Sequence, residues 1–268
     1  MAGDARTTNF MLGTAEVMIG PRDKMHELNP EQHSLGLVKN FNAEAQKENT
    51  DLGQGVQNVT IFTRTTGVTA RASCEVYEYT AKNLAYALSL EGSQFQPITG
   101  TVRKLTAVSV NGADKTHTLT ADSPVDAQAL VIGGYVTLRE PQNNNITLAK
   151  IQQITPALIV QVDVGTKTFP VGTEVQACHV LAVGSSAESE EFAAKIVGQL
   201  ADGTWVTLLY PRIRITSGMS MAFQTDNYGN MPFEFTPMRL VAGDKYFDEM
   251  SGRLANLVLN GAKSAITG

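Results

Sequence analysis

Val68-Thr69-Ala70-Arg71-Ala72-Ser73-Cys74-Glu75-Val76-Tyr77-Glu78-Tyr79 decides the fold. Val68, Ala70, Ala72, Cys74 and Val76 alternate with Thr69, Arg71, Ser73, Glu75 and Tyr77. A side-chain period of two belongs to a strand with one buried and one polar face. Just upstream, Val59-Thr60-Ile61-Phe62-Thr63 reads as a partner strand, and Thr65-Thr66-Gly67 as the turn between the two. Downstream, Thr80 is placed to cap a short helix. Its stripe is Ala81, Leu84, Ala85 and Leu88, with Tyr86 and Leu90 off the buried side and Gly92 as the C-terminal stop.

Toward the N-terminus the pattern dissolves. The first 55 or so residues read as irregular, with a long loop over about 20–57. Within it, 35–57 carries Gly36, Gly53 and Gly55 among many polar side chains. A structureless stretch of that length is unusual in a compact domain and points to disorder or to function.

Toward the C-terminus the texture changes near Gly100. Short β patterns follow at 102–110, 116–120, 131–138, 146–151, 158–164 and 175–183, with Asn111-Gly112 as a turn. Their spacing predicts a small closed sheet or barrel. Beyond Gly184-Ser185-Ser186 come longer strands at 190–200, 204–210, 213–223 and 232–240. Asp202-Gly203 makes a hairpin, Pro211 joins two strands, and 248–262 is a weak helix or a mobile tail. The expected fold is mainly β, with two packed antiparallel sheets (sandwich- or barrel-like) and one short helix. Residues 1–98 and 186–268 form one discontinuous domain, and 99–185 form an inserted barrel-like domain. An insertion at a loop tip costs only a logarithmic entropy term.

The chain has 268 residues, 43% hydrophobic and 18% charged, with a net charge of −5. That is enough apolar material for a real core, and it argues against a surface that grips nucleic acid through many Lys and Arg. Cys74 and Cys178 read as unpaired thiols. No signal-peptide pattern and no membrane-length apolar run occurs, so the chain reads as made and kept in a cytoplasm.

Chemistry-bearing motifs are absent. No phosphate loop, dinucleotide fingerprint or nucleophile elbow occurs, and His26, His33, His117 and His179 have no zinc-site spacing. His26 and His33 read as solvated loop side chains. Cys178 and His179, adjacent on a strand, point to opposite faces. Asp202, Asp226 and Glu234 sit at turns that favour such residues for backbone reasons. Trp205 reads as core. No catalytic residue, cofactor or metal is expected. What remains is contact surface: Arg71, Glu75, Tyr77 and Tyr79 on the polar face of the opening strand are candidates for a subunit or lumen face, against a plain solvated face.

The order of a long N-terminal loop, a strand pair, a single helix and a C-terminal antiparallel set resembles bacteriophage major tail tube proteins. The run Leu200-Ala201-Asp202-Gly203-Thr204-Trp205-Val206-Thr207-Leu208-Leu209-Tyr210-Pro211-Arg212-Ile213-Arg214-Ile215 looks like their hairpin. Ala222 to Gly229 with Met231 to Phe235, and the opening Gly13 to Gly20, are similar to theirs too. The resemblance covers about two thirds of the chain. It implies stacked, usually hexameric rings around a lumen that conducts DNA into the host, related in fold to type VI secretion tubes. It makes the 35–57 loop a ring-to-ring connector, with Leu37, Phe41, Leu52 and Val56 as candidate contacts. It also implies a virion location after assembly in the host cytoplasm, and partners in the tape measure, tail terminator and baseplate proteins. Double-stranded DNA would pass only transiently. Arg71, Arg212 and Arg214 would face the lumen or pair with neighbouring subunits. The insert, on the outer wall, favours a non-contractile tail. The rival readings are another virion or secretion-tube part, and a carbohydrate-binding adhesion module.

Overall fold

The computed structural model describes residues 15–54, 59–95, 102–111, 116–122, 130–154, 158–161, 168–184, 190–200, 203–221 and 228–259. The chain divides into two compact units, Met1–Gln96 with Val183–Gly268, and Pro97–Ala182. Both are antiparallel β structures.

The outer unit opens with β1 (Glu16–Pro21), a 3-10 turn (Arg22–Glu27) and α1 (Pro30–His33). Asn29 caps α1 by accepting from the Gln32 N–H, with Pro30 at the first helical position. Then come β2 (Val38–Gln54), β3 (Val59–Val76) and α2 (Ala81–Ala87). The inserted unit supplies β4 (Arg103–Asn111), β5 (Thr116–Ala121), β6 (Tyr135–Arg139), β7 (Ile146–Ile154), β8 (Leu158–Gln161) and β9 (Glu174–Ala177). The chain returns with β10 (Phe192–Gln199), β11 (Trp205–Ile215), β12 (Met231–Pro237) and β13 (Asn256–Leu259).

In the outer unit these strands make one seven-stranded sheet, ordered β1-β10-β11-β12-β3-β2, with β13 also on β11. It is therefore one sheet where a packed pair was expected. Val17, Cys74, Val76, Phe192, Ile213, Phe233 and Phe235 form its core, closed by Tyr86 and Ala87 of α2. Tyr86 meets Phe192 edge-on at 5.3 Å, and Tyr210 meets Phe235 at 5.7 Å. Such aromatic pairs add about 0.5–1.5 kcal/mol beyond their burial. A second cluster, with Met18, Met25, Leu28, Ala193, Leu240 and Tyr246, joins the 3-10 turn to the C-terminal segment.

The alternation around Cys74 holds: Ala72, Cys74 and Val76 are buried between more exposed neighbours. Several expectations do not. The stretch read as a loop over 20–57 contains β1's last residues, α1 and the 17-residue strand β2. The Thr65-Thr66-Gly67 turn is instead a bulge inside the 18-residue β3, because Glu48 pairs with Gly67 and Asn49 with Thr65, leaving Thr66 extra. Helix α2 ends at Ala87, where Ser89 rather than Gly92 takes the left-handed conformation (φ 58°). Tyr86 lies on its buried side. Pro211 does not separate two strands. It sits within β11 opposite an irregularity between Phe192 and Ala194, where a missing N–H is tolerated. β11 stops at Ile215, short of the expected 223, and the tail beyond 248 holds strand β13.

The inserted unit is a closed barrel of order β4-β5-β8-β7-β6-β9. Leu105, Leu119, Val136, Leu138, Ile151 and Val175 fill it. The buried His117 ring lies 5.6 Å from that of Phe169.

Phe233 is fully buried at the centre of the outer sheet. Phe233→Ala should lower unfolding stability by about 3–5 kcal/mol, read by denaturant titration followed on tertiary signal. A loss under about 1 kcal/mol would mean this core is not the one that holds the unit.

Candidate assembly surface

β2 and β3 pair along almost their whole length, from Val38 opposite Val76 to Gln54 opposite Val59. At the root their side chains enter the core. From Gly67 back to Thr60 on β3, and from Asn42 to Leu52 on β2, essentially every side chain is exposed. This is a two-stranded arm with both faces uncovered. Beyond the Gln46–Thr69 pair, its eight further residues reach about 26 Å at roughly 3.3 Å per residue.

Local chemistry keeps the arm in register. The Thr63 hydroxyl donates to Asp51 at 2.6 Å, Thr65 to the Asn49 side-chain oxygen at 2.9 Å, and Thr66 to the Glu48 carbonyl at 3.2 Å. Leu52 stands directly across from Phe62, each 59% exposed, and Ile61 beside them is 57% exposed. Two-stranded hairpins are marginal in water without a packed face. β2 also forms one edge of the sheet, so its outer backbone row is unpaired among the described residues.

At the arm's root lies an apolar cleft of ≈ 1080 Å³. Phe41, Ala43, Ala45 and Val68 form one wall, Ile196, Val206 and Leu208 the floor, and Leu257 and Leu259 of β13 the other side. Ile196, Leu208 and Tyr210 belong to this cleft and also to the core cluster or its margin. The cleft is thus the part of the sheet's apolar face that the seven-residue α2 is too short to cover. Arg239 and Arg253 also line it.

The four expected connector residues are not brought together. Leu37 precedes β2, half-exposed, with its N–H bonded to a Glu78 carboxylate oxygen at 2.9 Å. Phe41 packs against the chain's own core. Leu52 is near the arm's far end, and Val56 lies outside the described residues. On the polar face, Arg71 is exposed across from Glu44. Tyr77 donates to Glu75 at 2.9 Å, under Lys39 Nζ at 4.8 Å from its ring. Hydrogen bonds from Asn40, then Tyr77 and Asn230, hold the Glu75 carboxyl below the usual range, and the bond to Glu75 pushes the Tyr77 phenol up. Tyr79 leaves this set, packing against the core. Lys39, Arg71, Glu44, Glu75 and Glu234 mix both signs, so this patch is not strongly acidic.

Arg212 has its partners within the chain. It donates to Glu191 through Nη2 at 2.7 Å and Nε at 2.8 Å, Arg22 reaches Glu191 at 2.8 Å, and Arg214 lies 3.5 Å from it. Arg22 also pairs with Asp244. Three guanidinium groups on two carboxylates tie β10 and β11 to the 3-10 turn and the C-terminal segment.

His33 is buried rather than solvated. Its Nδ1 accepts from the Asn29 N–H at 3.3 Å, and burial lowers its pKa. His26 pairs with Glu249 at 2.6 Å. Burial pushes the Cys74 thiol up to about 12, leaving it inert. Cys178 is partly exposed beside the Thr137 hydroxyl. Glu234 is on β12, whereas Asp202 and Asp226 lie outside the described residues. Trp205, expected in the core, starts β11 and is 48% exposed. Among the described residues, no three His, Cys, Asp or Glu side chains group as metal ligands, and no helix is long and apolar enough to cross a membrane. No protein-family model matches the chain, and no curated protein matches it.

Glu191 is held below the usual carboxylate range, first by its hydrogen bond from Arg212 and then by charge from Arg212, Arg22 and Arg214. A depressed folded pKa contributes stability that is complete above the unfolded value and is lost as pH falls through the folded one. Acidification from neutrality to below the normal Glu range should therefore destabilise the parent more than Glu191→Gln. Melting curves across that range check this, and equal slopes would dismiss the cluster as an acid-sensitive lock.

Proposed function

We propose that this protein is a structural subunit of a bacteriophage tail tube, polymerising as stacked rings around a lumen that conducts DNA, and that it is not an enzyme. The observation that carries the reading is the arm: 17- and 18-residue strands extended past their own core with apolar side chains on display. A monomer gains nothing from such a ribbon, since ordering each residue costs about 1–2 kcal/mol of backbone entropy and the exposed tip returns no burial. A copy bound against it supplies that burial. The bare edge of β2 suits the same purpose, because backbone hydrogen bonds across an edge join sheets between subunits.

On this reading the outer unit is the tube-forming β domain, and the connector role given to 35–57 passes to the arm as a whole. The polar patch with Lys39, Arg71, Glu44 and Glu75 lines the lumen or meets a ring neighbour. With both signs interspersed, and −5 on the chain, it makes a poor phosphate clamp, which suits a bore that DNA must slide through. The inserted barrel projects from the outer wall, in keeping with a non-contractile tail. The partners are further copies of this chain and the tape measure, terminator and baseplate proteins of the same particle.

Replacing 47–68 by an Asn-Gly turn removes the arm while leaving the Gln46–Thr69 pair and the core intact. The parent should form rings or tubes by negative-stain microscopy at high concentration. The trimmed variant should keep its far-ultraviolet spectrum and remain monomeric in sedimentation. Full-length tubes from the trimmed protein would remove the arm from assembly, and a parent that stays monomeric would end the tube reading altogether.

A further inference from the structure

We propose that the apolar cleft between the arm's root and β13 is the socket for the arm of a second copy of this chain. This rests on the self-assembly reading above and names the surface that reading leaves open.

The outer unit has two unsatisfied features, and they complement each other. One is convex: the ribbon carrying Leu52, Ile61 and Phe62, all more than half exposed. The other is concave: the ≈ 1080 Å³ cleft floored by Val206 and Leu208 and flanked by Leu257 and Leu259. Leu257 and Leu259 are 60% and 58% exposed, high for apolar side chains on a strand that is already paired. The cleft has a size suited to several large side chains.

A chain cannot fill its own socket with its own arm. Ala43, Ala45 and Thr65 to Val68 are the root of the arm and already form one wall. The ribbon runs on from that wall in extended pairing as far as Gln54 and Val59, so Leu52, Ile61 and Phe62 lie outside the cleft's lining. Arm and socket must therefore meet between copies. Two different surfaces joined in this way make a head-to-tail contact, which propagates or closes into rings instead of stopping at a dimer. Charges of both signs are available on each side: Arg239, Arg253 and Glu44 line the socket, while Glu48 and Asp51 travel on the arm with Lys47 and Arg64. Exchange of the arm also joins two observations that are otherwise separate, namely why the apolar face is left half-covered by so short a helix and why the ribbon is so long.

The test mixes two separately purified proteins, Phe62→Cys and Leu257→Cys, each also carrying Cys178→Ser, so that the introduced thiol is accompanied only by the buried Cys74. After assembly and oxidation with copper-phenanthroline, a disulfide-linked dimer containing one of each is expected. Neither protein alone should give it. Assembly without that dimer overturns the socket and leaves the tube reading standing, whereas absence of any assembly sinks both. Coupling of Leu257→Cys to Met11→Cys within one chain would mean that the chain's own amino-terminal residues occupy the cleft, and the proposal would fall. As a second measure, Leu257→Glu with Leu259→Glu alters only exposed positions. It should leave the melting temperature within a few degrees and raise the concentration for half-assembly at least tenfold. An unchanged assembly concentration would overturn the socket.

Discussion

The antiparallel pairing of Val38–Gln54 with Val59–Val76 is the constraint on which the outer unit depends. At one end the pair contributes Val38, Ala72, Cys74 and Val76 to the core, and β3 takes β12 on its other side. At the other end the same continuous ladder has, among the described residues, no third strand and no layer above or below it. Backbone hydrogen bonding forces the two regimes into one object, because a ladder in register at the root fixes the geometry of every rung beyond it. Bulges at Asn40–Phe41, Thr66 and Ile61 add twist along the way. The sheet thus has more strand than the described elements cover.

The same imbalance accounts for the rest of the unit. One helix of seven residues covers part of the apolar face, and the Met18–Tyr246 cluster covers part of the opposite face. The Arg22, Arg212, Glu191 and Asp244 cluster secures the second of these covers, bringing residues from opposite ends of the chain together. Charge is therefore used where elements are locked within the subunit. Apolar side chains are left bare on the arm and in the cleft, where no element among the described residues lies over them.

The legible parts of the sequence were those where burial and periodicity coincide. Ala72, Cys74 and Val76 alternate because one face meets the core, and Thr80 marks a helix start because its hydroxyl accepts the Asn83 N–H. β2 was illegible for the opposite reason. With both faces in water beyond Asn42, nothing selects an alternating pattern, and Asn42-Ala43-Glu44-Ala45-Gln46-Lys47-Glu48 reads as polar loop. Its one hint, Ala43 and Ala45 between charged or amide neighbours, is obscured by the Asn40 bulge (φ 52°), which shifts the alternation just upstream. Thr65-Thr66-Gly67 has the composition of a turn, and only pairing to Glu48 and Asn49 reveals a bulge. The cleft could not be read at all, since it joins residues near 43, 68, 206 and 257 through the strand order.

A fold in which the longest strands are the least covered has a defined energetic asymmetry. Its core is complete without help, as the fully buried Phe192, Phe233 and Phe235 show. Among the described residues, its arm is held by its own ladder and a few threonine hydroxyls. Local stability should therefore fall steeply from root to tip, since protection from opening follows buried apolar contact and not hydrogen bonding alone. That gradient suits an element whose partner is met after folding. On the proposed reading, the root presents the ribbon to a second copy, whose contact buries Leu52 and Phe62.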